Sequence, residues 1–441
     1  MSTRSSRAGE ILLVLEAAFG GFYVSIARAL FVPMLTYSGY PLELLSMVIL
    51  PTGFAGAVLS LYIYRHSGFV SSKFKPLLFT SHIGERLLWV LPPFLLASPA
   101  AESIVYMLGN LAALTTGLLL SALIFLYFPE RDVVRVAVSR SASGAAASLL
   151  GSLYMTYLPT VMPAPDVYYV LYLSAFAAGV ISSISLALVP NIPSSIPEPG
   201  GALPEEVAVK SGNAFLVLML MTAGGNLVGI AWSPLLKALN APLYIPLALS
   251  LAGNLGALLG SYAWRGYRSY LAAMLVNSLF TALVPFFSQP EAHPLLSFAM
   301  SATFMGANLL GMQLFAQLSG RMGRVKASVF QTSSNYVGLL LAASLSTLLP
   351  MSPQAALLAA ALIKLLGVVV AAIAIPETAI VKGRRVYEYS RLVYSTSLYG
   401  FTFTVQASRE FLKTMLEMLA TVALIVLIYV VHRLSTFLAG A

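Results

Sequence analysis

The chain has 441 residues, of which 59% are hydrophobic and only 9% charged, with a formal net charge of +9. A soluble domain carries about 25% charged residues, so most of this surface must face something apolar, which excludes a water-soluble enzyme or binding module. There is no cysteine, which removes disulfides, thiol catalysis and Cys-based metal sites.

In chain order, the polar stretch Met1 to Gly9 runs straight into apolar sequence with no small-residue cleavage site, so no removed signal peptide is expected. A spanning helix needs about 20 mostly apolar residues. Thirteen segments qualify, at roughly 10–33, 42–64, 76–97, 103–127, 136–160, 167–190, 212–236, 242–264, 269–287, 295–318, 327–349, 354–375 and 412–431. Their connections are short and rich in Pro, Gly and Ser. The stretch Asn191 to Lys210 is longer; with Pro193, Pro197, Pro199, Pro204, Glu198, Glu205 and Glu206 it reads as a linker. The expected organisation is an N-terminal six-helix half over 1–190, a linker over 191–210, a C-terminal six-helix half over 211–376, and a final unit over 377–441. In that unit Arg385 to Gln406 alternates in places and is open to a small hairpin. Ser408 is a helix N-cap, and Met415 to Val431 form a thirteenth span, an anchor packed on the bundle.

Orientation follows from Lys and Arg. With the N-terminus cytoplasmic, twenty of them fall on the cytoplasmic side, Arg140 and Lys210 included. Only Lys237 and Arg433 fall outside, and Arg28, Arg86 and Lys364 lie within spans. The net positive charge then sits beside anionic lipid and is not a nucleic-acid footprint. The expected location is the cell (plasma) membrane, multi-pass, with lipid as the surrounding partner.

The sequence also repeats itself once. Gly53, Gly56, Ala57, Leu59, Tyr62 and Arg65 of span 2 recur in span 8 as Gly253, Gly256, Ala257, Leu259, Tyr262 and Arg265, at an offset of 200. Gly20-Gly21 of span 1 recurs as Gly224-Gly225 of span 7, and Pro93-Phe94 of span 3 as Pro285-Phe286 of span 9. Arg135, Val136 and Ser139 recur as Arg324, Val325 and Ser328. Six spans separate each pair, so both copies cross the membrane in the same direction: a parallel repeat with its axis along the membrane normal. The fold class is an all-α polytopic membrane protein of two pseudo-symmetric six-helix bundles plus the extra span.

This arrangement resembles the major facilitator superfamily of secondary transporters, over about residues 10–376. That family's signature follows helix 2 and helix 8 as Gly, Asp-Arg, then Gly and basic residues. Here the copies read Tyr64-Arg65-His66-Ser67-Gly68 and Trp264-Arg265-Gly266-Tyr267-Arg268: the Arg is kept twice, and Tyr64 and Trp264 stand at the Asp position. The resemblance implies gating loops at Arg65, Arg265, Arg135 and Arg324, and a central cavity lined by helices 1, 4, 7 and 10. Span 5 lacks the Gly-Pro signature of the family's drug/proton antiporters.

Ionisable residues within spans are costly and are functional candidates by default. Glu16 and Arg28 lie in span 1, His82, Glu85 and Arg86 in span 3, and Lys364 in span 12. Glu16, Tyr23 and Arg28 are candidates for binding substrate. Glu16 is equally a candidate for a coupling proton, or for a solvated residue near the edge. Glu85 and Arg86 read as a buried ion pair with another helix, Glu16 being one candidate partner, or as coupling residues. Lys364 reads as a structural pair or a substrate counter-ion. Asn226, Trp232, Asn308 and Gln313 are cavity candidates or simple interhelical hydrogen bonders. The four histidines are too scattered for a metal site, there is no phosphate-binding loop for ATP, and no cofactor is expected. The reading is a non-enzymatic secondary transporter for a small-molecule solute, coupled to H+ and monomeric. The alternatives are a lipid or glycolipid flippase, a membrane glycosyltransferase, and a non-transporting receptor or scaffold.

Overall fold

The computed structural model describes residues 3–128, 130–195, 205–322, 324–380 and 385–396. Among them there are helices and turns and no strand. Twelve helices reach 15 residues or more: α1 (Thr3–Tyr37), α2 (Leu42–Arg65), α3 (Phe74–Leu88), α4 (Pro99–Tyr127), α5 (Glu130–Tyr157), α6 (Asp166–Ala187), α7 (Glu205–Ala238), α8 (Tyr244–Ala263), α9 (Tyr267–Leu283), α10 (His293–Met322), α11 (Arg324–Leu348) and α12 (Pro353–Ala374). Nine described helices are long and apolar enough to cross a bilayer, and large apolar side chains such as Leu150, Tyr262, Phe286 and Leu362 lie on the outside, so the chain is a multi-pass membrane protein. The segment α3 is too short by itself, while α5 and α11 are rich in Ser and carry charge, and they lie against other helices, α5 on α1 and α8, α11 on α2 and α7.

Local chemistry explains the breaks. Span 3 does not run unbroken to residue 97: α3 ends at Leu88 and a single turn, Pro92–Leu95, follows. Proline lacks the N–H that would continue the ladder. Span 9 breaks in the same way, α9 giving way to the 3₁₀ turn Val284–Phe286 around Pro285, so the repeated Pro-Phe pair marks the same structural event twice. Residues 385–396 form a helix, so the hairpin to which the sequence is open does not form over that part of the segment. The remainder of that segment, Ser408 and the span at 412–431 lie outside the described residues.

The two halves share one packing scheme. In the first, α1 packs on α5 and α6, α4 on α2 and α3, and α3 on α6. In the second, α7 packs on α11 and α12, α10 on α8 and α9, and α9 on α12. Every pair is displaced by six helices. Across the seam α2 lies on α11 and α5 on α8, again related by the same displacement. Glycine permits the closest approaches: a Cβ on Gly256 would come within 2.9 Å of the Phe298 carbonyl carbon, so α8 and α10 touch backbone to backbone.

The apolar core is single at one end of the bundle and divided at the other. One cluster joins Phe31, Leu35 and Leu45 of the first half to Leu235, Ala241 and Leu357 of the second. Towards the basic ends of the helices two further clusters form, one around Leu13, Phe74 and Leu123 of the first half that also takes in Val329 and Tyr336 of α11, and one around Val217, Met274 and Leu314 of the second half. At the sealed end, hydrogen bonds latch the halves: Lys237 Nζ to the Thr36 carbonyl at 2.6 Å, Tyr37 Oη to the Ala241 carbonyl at 2.6 Å, and Ser346 to Ser46 at 2.7 Å. The space between the halves lies on the other side of this latch.

Candidate functional site

Two charged networks in the first half tie α1 to its neighbours. Glu85, on α3, is 1% exposed; it accepts from Arg28 Nη2 of α1 at 2.7 Å and from Arg86 Nη1 at 2.5 Å. The Arg86 guanidinium lies 4.7 Å from the centre of the Tyr23 ring, a cation–π contact, and Tyr23 Oη donates to the Glu85 backbone carbonyl at 3.1 Å. Glu16, 2% exposed, accepts from Arg140 of α5 at 2.6 and 3.2 Å and sits 3.2 Å from His82 Nε2. A carboxylate only accepts, so His82 donates through Nε2 and takes the Ser183 hydroxyl at Nδ1, 2.9 Å away. Isolated carboxylates at this depth would be very costly, and paired with guanidinium groups they are tolerated.

The second half holds the larger open space. A cavity of about 870 Å³ is walled by α7, α8, α10 and α11, with Asn277 from α9, Lys364 from α12 and Gly117, Leu118 and Ser121 from α4. Its lining is rich in amides and hydroxyls, including Asn226, Asn254, Asn308, Gln331 and Asn335. A smaller recess of about 340 Å³ continues from it through Asn226, Trp232 and Ser250 to Arg28 and Tyr106 of the first half. The Arg28 side chain is 38% accessible because it turns into this recess. Asn254 Nδ2 donates to Ser152 Oγ of α5 at 2.8 Å, bridging the seam. Asn226 Nδ2 donates to Asn335 Oδ1 at 3.2 Å.

The expected site residues therefore separate. Arg28, Asn226, Trp232, Asn308 and Lys364 line the cavities. Glu16, Tyr23, Glu85 and Arg86 form the networks behind the wall, and Gln313 is half-buried away from it. The Trp232 indole N–H is committed to His293 Nδ1 at 2.9 Å, which leaves its ring face for the cavity. Glu85 pairs with Arg28 and Arg86, and Glu16 with Arg140, a residue that charge counting had grouped with the cytoplasmic loops. Lys364, 2% exposed, donates to Thr281 Oγ1 of α9 at 2.8 Å and meets no carboxylate among the described residues. Arg65 and Arg265 are exposed, Arg135 pairs with Glu10 at 3.0 Å, and the Arg324 side chain lies outside the description. At the signature's missing Asp, the Tyr64 ring packs edge-on against Phe330 of α11 with Lys326 Nζ 5.8 Å above it, so a cation–π contact stands at that position of the seam.

Sequence reasoning missed Asn254, Asn277, Gln331 and Asn335. The available signal was an amide in an otherwise apolar span. Glu102, one residue ahead of the span expected at 103–127, is fully buried in the first turn of α4 with neither carboxyl oxygen hydrogen-bonded.

No protein-family model and no curated protein matches the sequence. Solved structures do match. An Asp-to-Ala mutant of the nucleoside transporter NupG aligns with a TM-score of 0.63 at 13% identity, covering 83% of this chain and 98% of that one. NupG itself aligns at 0.55 and 14%, over 83% and 97%. The POT family transporter PepTSo aligns at 0.61 and 14%, over 90% and 99%. Both are major facilitator proteins. The likeness establishes the fold alone: this is a polytopic all-helical membrane protein with the architecture of these transporters.

Proposed function

We propose that the protein is a secondary active transporter that moves a small solute by alternating access, coupled to protons. The observation that carries this reading is a polar cavity in the second half that meets α4 of the first and continues into a recess reaching Arg28, in a bundle whose pseudo-symmetric halves are hydrogen-bonded together at the end away from the basic helix termini. Transporters with the same fold support it. Rocking the halves about the solute would break the contacts among Thr36, Lys237, Tyr37 and Ala241 and close the seam at the basic ends.

Glu16 is the proposed coupling group. Protonation of its carboxylate would release Arg140 and so loosen α5 from α1, and α5 carries Ser152, the seam partner of Asn254. The Glu85 cluster is the second candidate because it connects the recess wall, through Arg28, to α3. In this reading the basic ends face the cytoplasm of the cell membrane, and one chain is the working unit.

The test is uptake into proteoliposomes across an imposed pH gradient, with a panel of metabolites. The wild type accumulates its solute against a gradient. Glu16→Gln is expected to keep downhill exchange and lose proton-driven accumulation, with Glu85→Gln impaired in both. Full accumulation by both variants would refute the coupling assignment, and the absence of uptake or counterflow across the whole panel would refute transport.

A further inference from the structure

Buried charge on the cavity wall is unbalanced. Among the described residues, Arg28, Arg86 and Arg140 share the carboxylates of Glu16 and Glu85 between them. Lys364 shares neither. Its ammonium group sits against one hydroxyl, Thr281 Oγ1, and 5.8 Å from the Phe304 ring centre, on the wall of the 870 Å³ cavity. Its stem lies along Gly224, where a Cβ would come within 2.5 Å of Lys364 Cγ, so the repeated Gly-Gly pair leaves the room this side chain occupies. An ammonium removed from water with no counter-ion is strongly disfavoured, and its two remaining N–H donors call for acceptors.

A second observation lies beside the first. Asn277, one helical turn before Thr281 on α9, lines the same wall and is 1% exposed. Its amide N–H groups go to the Met300 carbonyl and to Thr303, at 2.6 and 3.0 Å, while its Oδ1 accepts nothing. No carboxylate lines either the cavity or the recess. The far end of the recess is marked by a second cation, Arg28.

We infer that the cavity takes an anionic solute of metabolite size, with a carboxylate or phosphate group held by Lys364 and its hydrogen-bonding body held by the asparagine-rich wall. The inference rests on the cavity being the solute site. The anion supplies the counter-charge that the protein lacks, and a hydroxyl or N–H beside it satisfies Asn277 Oδ1. A cavity of this volume is of the size that encloses a metabolite or drug-sized ligand. A cationic solute would meet Lys364 with no carboxylate on the cavity wall to offset it, while the charge of Arg28 is already matched by Glu85.

The test is thermal unfolding of the purified full chain in detergent with matched probes: uridine against uridine 5′-monophosphate, and glucose against gluconate and glucose 6-phosphate. The charged member of at least one set is expected to bind at least tenfold more tightly. The gluconate and phosphate arms separate a carboxylate site from a phosphate site. Lys364→Met is expected to erase the preference and Lys364→Arg to retain it. Thr281→Asp places a carboxylate where the ammonium now meets a hydroxyl, supplying a built-in counter-ion; it is expected to abolish anion preference in a protein at least as stable as the wild type. Equal or tighter binding of the neutral members overturns the proposal, as does a preference that survives Lys364→Met or Thr281→Asp, or the failure of every anionic probe to shift the wild type at millimolar concentration. A neutral solute that is bound and carried into proteoliposomes would refute the anion assignment and leave transport standing. An anion that binds through Lys364 and is never carried would do the reverse.

Discussion

The Glu85 cluster offers the sharpest energetic test. Replacing Glu85 by Gln keeps the shape of the side chain and removes its charge, leaving two guanidinium groups around a neutral amide. The two pairs do not weigh equally. Arg86 is buried, its side chain only 5% accessible, and breaking a buried pair by removing one partner costs about 3–5 kcal/mol. The Arg28 side chain is 38% accessible to the recess, so water replaces most of what it loses, and that pair contributes about 1 kcal/mol or less. Glu85→Gln is therefore expected to destabilise the fold by about 3–5 kcal/mol, nearly all of it through stranded Arg86. Combining it with Arg86→Met removes the stranded charge and fills its place with apolar atoms, so the double variant should recover about 2–3 kcal/mol relative to the sum of the single changes. Unfolding free energies from detergent titration, followed by the fluorescence of Trp89 at the end of the same helix, complete the cycle. A Glu85→Gln protein within 1 kcal/mol of the wild type, or a double variant no better than additive, would show that the cluster is not held by charge as argued.

The glycines make a contrasting pair of predictions. Gly256→Ala drives a Cβ into the Phe298 backbone, which cannot step aside, and should cost about 1–3 kcal/mol. Gly117→Ala meets nothing within 4 Å and should leave stability unchanged or raise it by up to about 1 kcal/mol; equal effects in thermal unfolding would refute the close-approach argument. The latch is testable by labelling, because the protein has no native cysteine. A single Ser233→Cys probe, buried beside the recess, should react slowly with a membrane-impermeant thiol reagent supplied from the latched side. Tyr37→Phe with Lys237→Met should accelerate that reaction several-fold, and an unchanged rate would mean the latch does not hold that end shut.

Much of this architecture was legible in the chain. The proportion of charged residues dictated lipid around most of the surface, since no water-facing exterior can be built from so few. The recurrence of Pro93 as Pro285 located equivalent helix breaks, and that of Gly53-Gly56 as Gly253-Gly256 marked close approaches in both copies, though to α11 in the first and to α10 in the second, because glycine and proline act on their own local backbone while the packing partner is set by the bundle. That Glu16, Glu85, Arg86 and Lys364 needed partners also followed from sequence, lipid offering none. Who those partners are did not follow. Glu16 finds Arg140 from 124 residues away, and Glu85 finds Arg28 on another helix, because pairing depends on how each helix is rotated about its axis in the bundle, which local spacing does not fix. Lys364 sits on a helix expected to be peripheral, yet it reaches the cavity because Gly224 makes way for its stem. The amides at 254, 277 and 335 are single polar letters in apolar spans, and only the convergence of α8, α9 and α11 turns them into one wall.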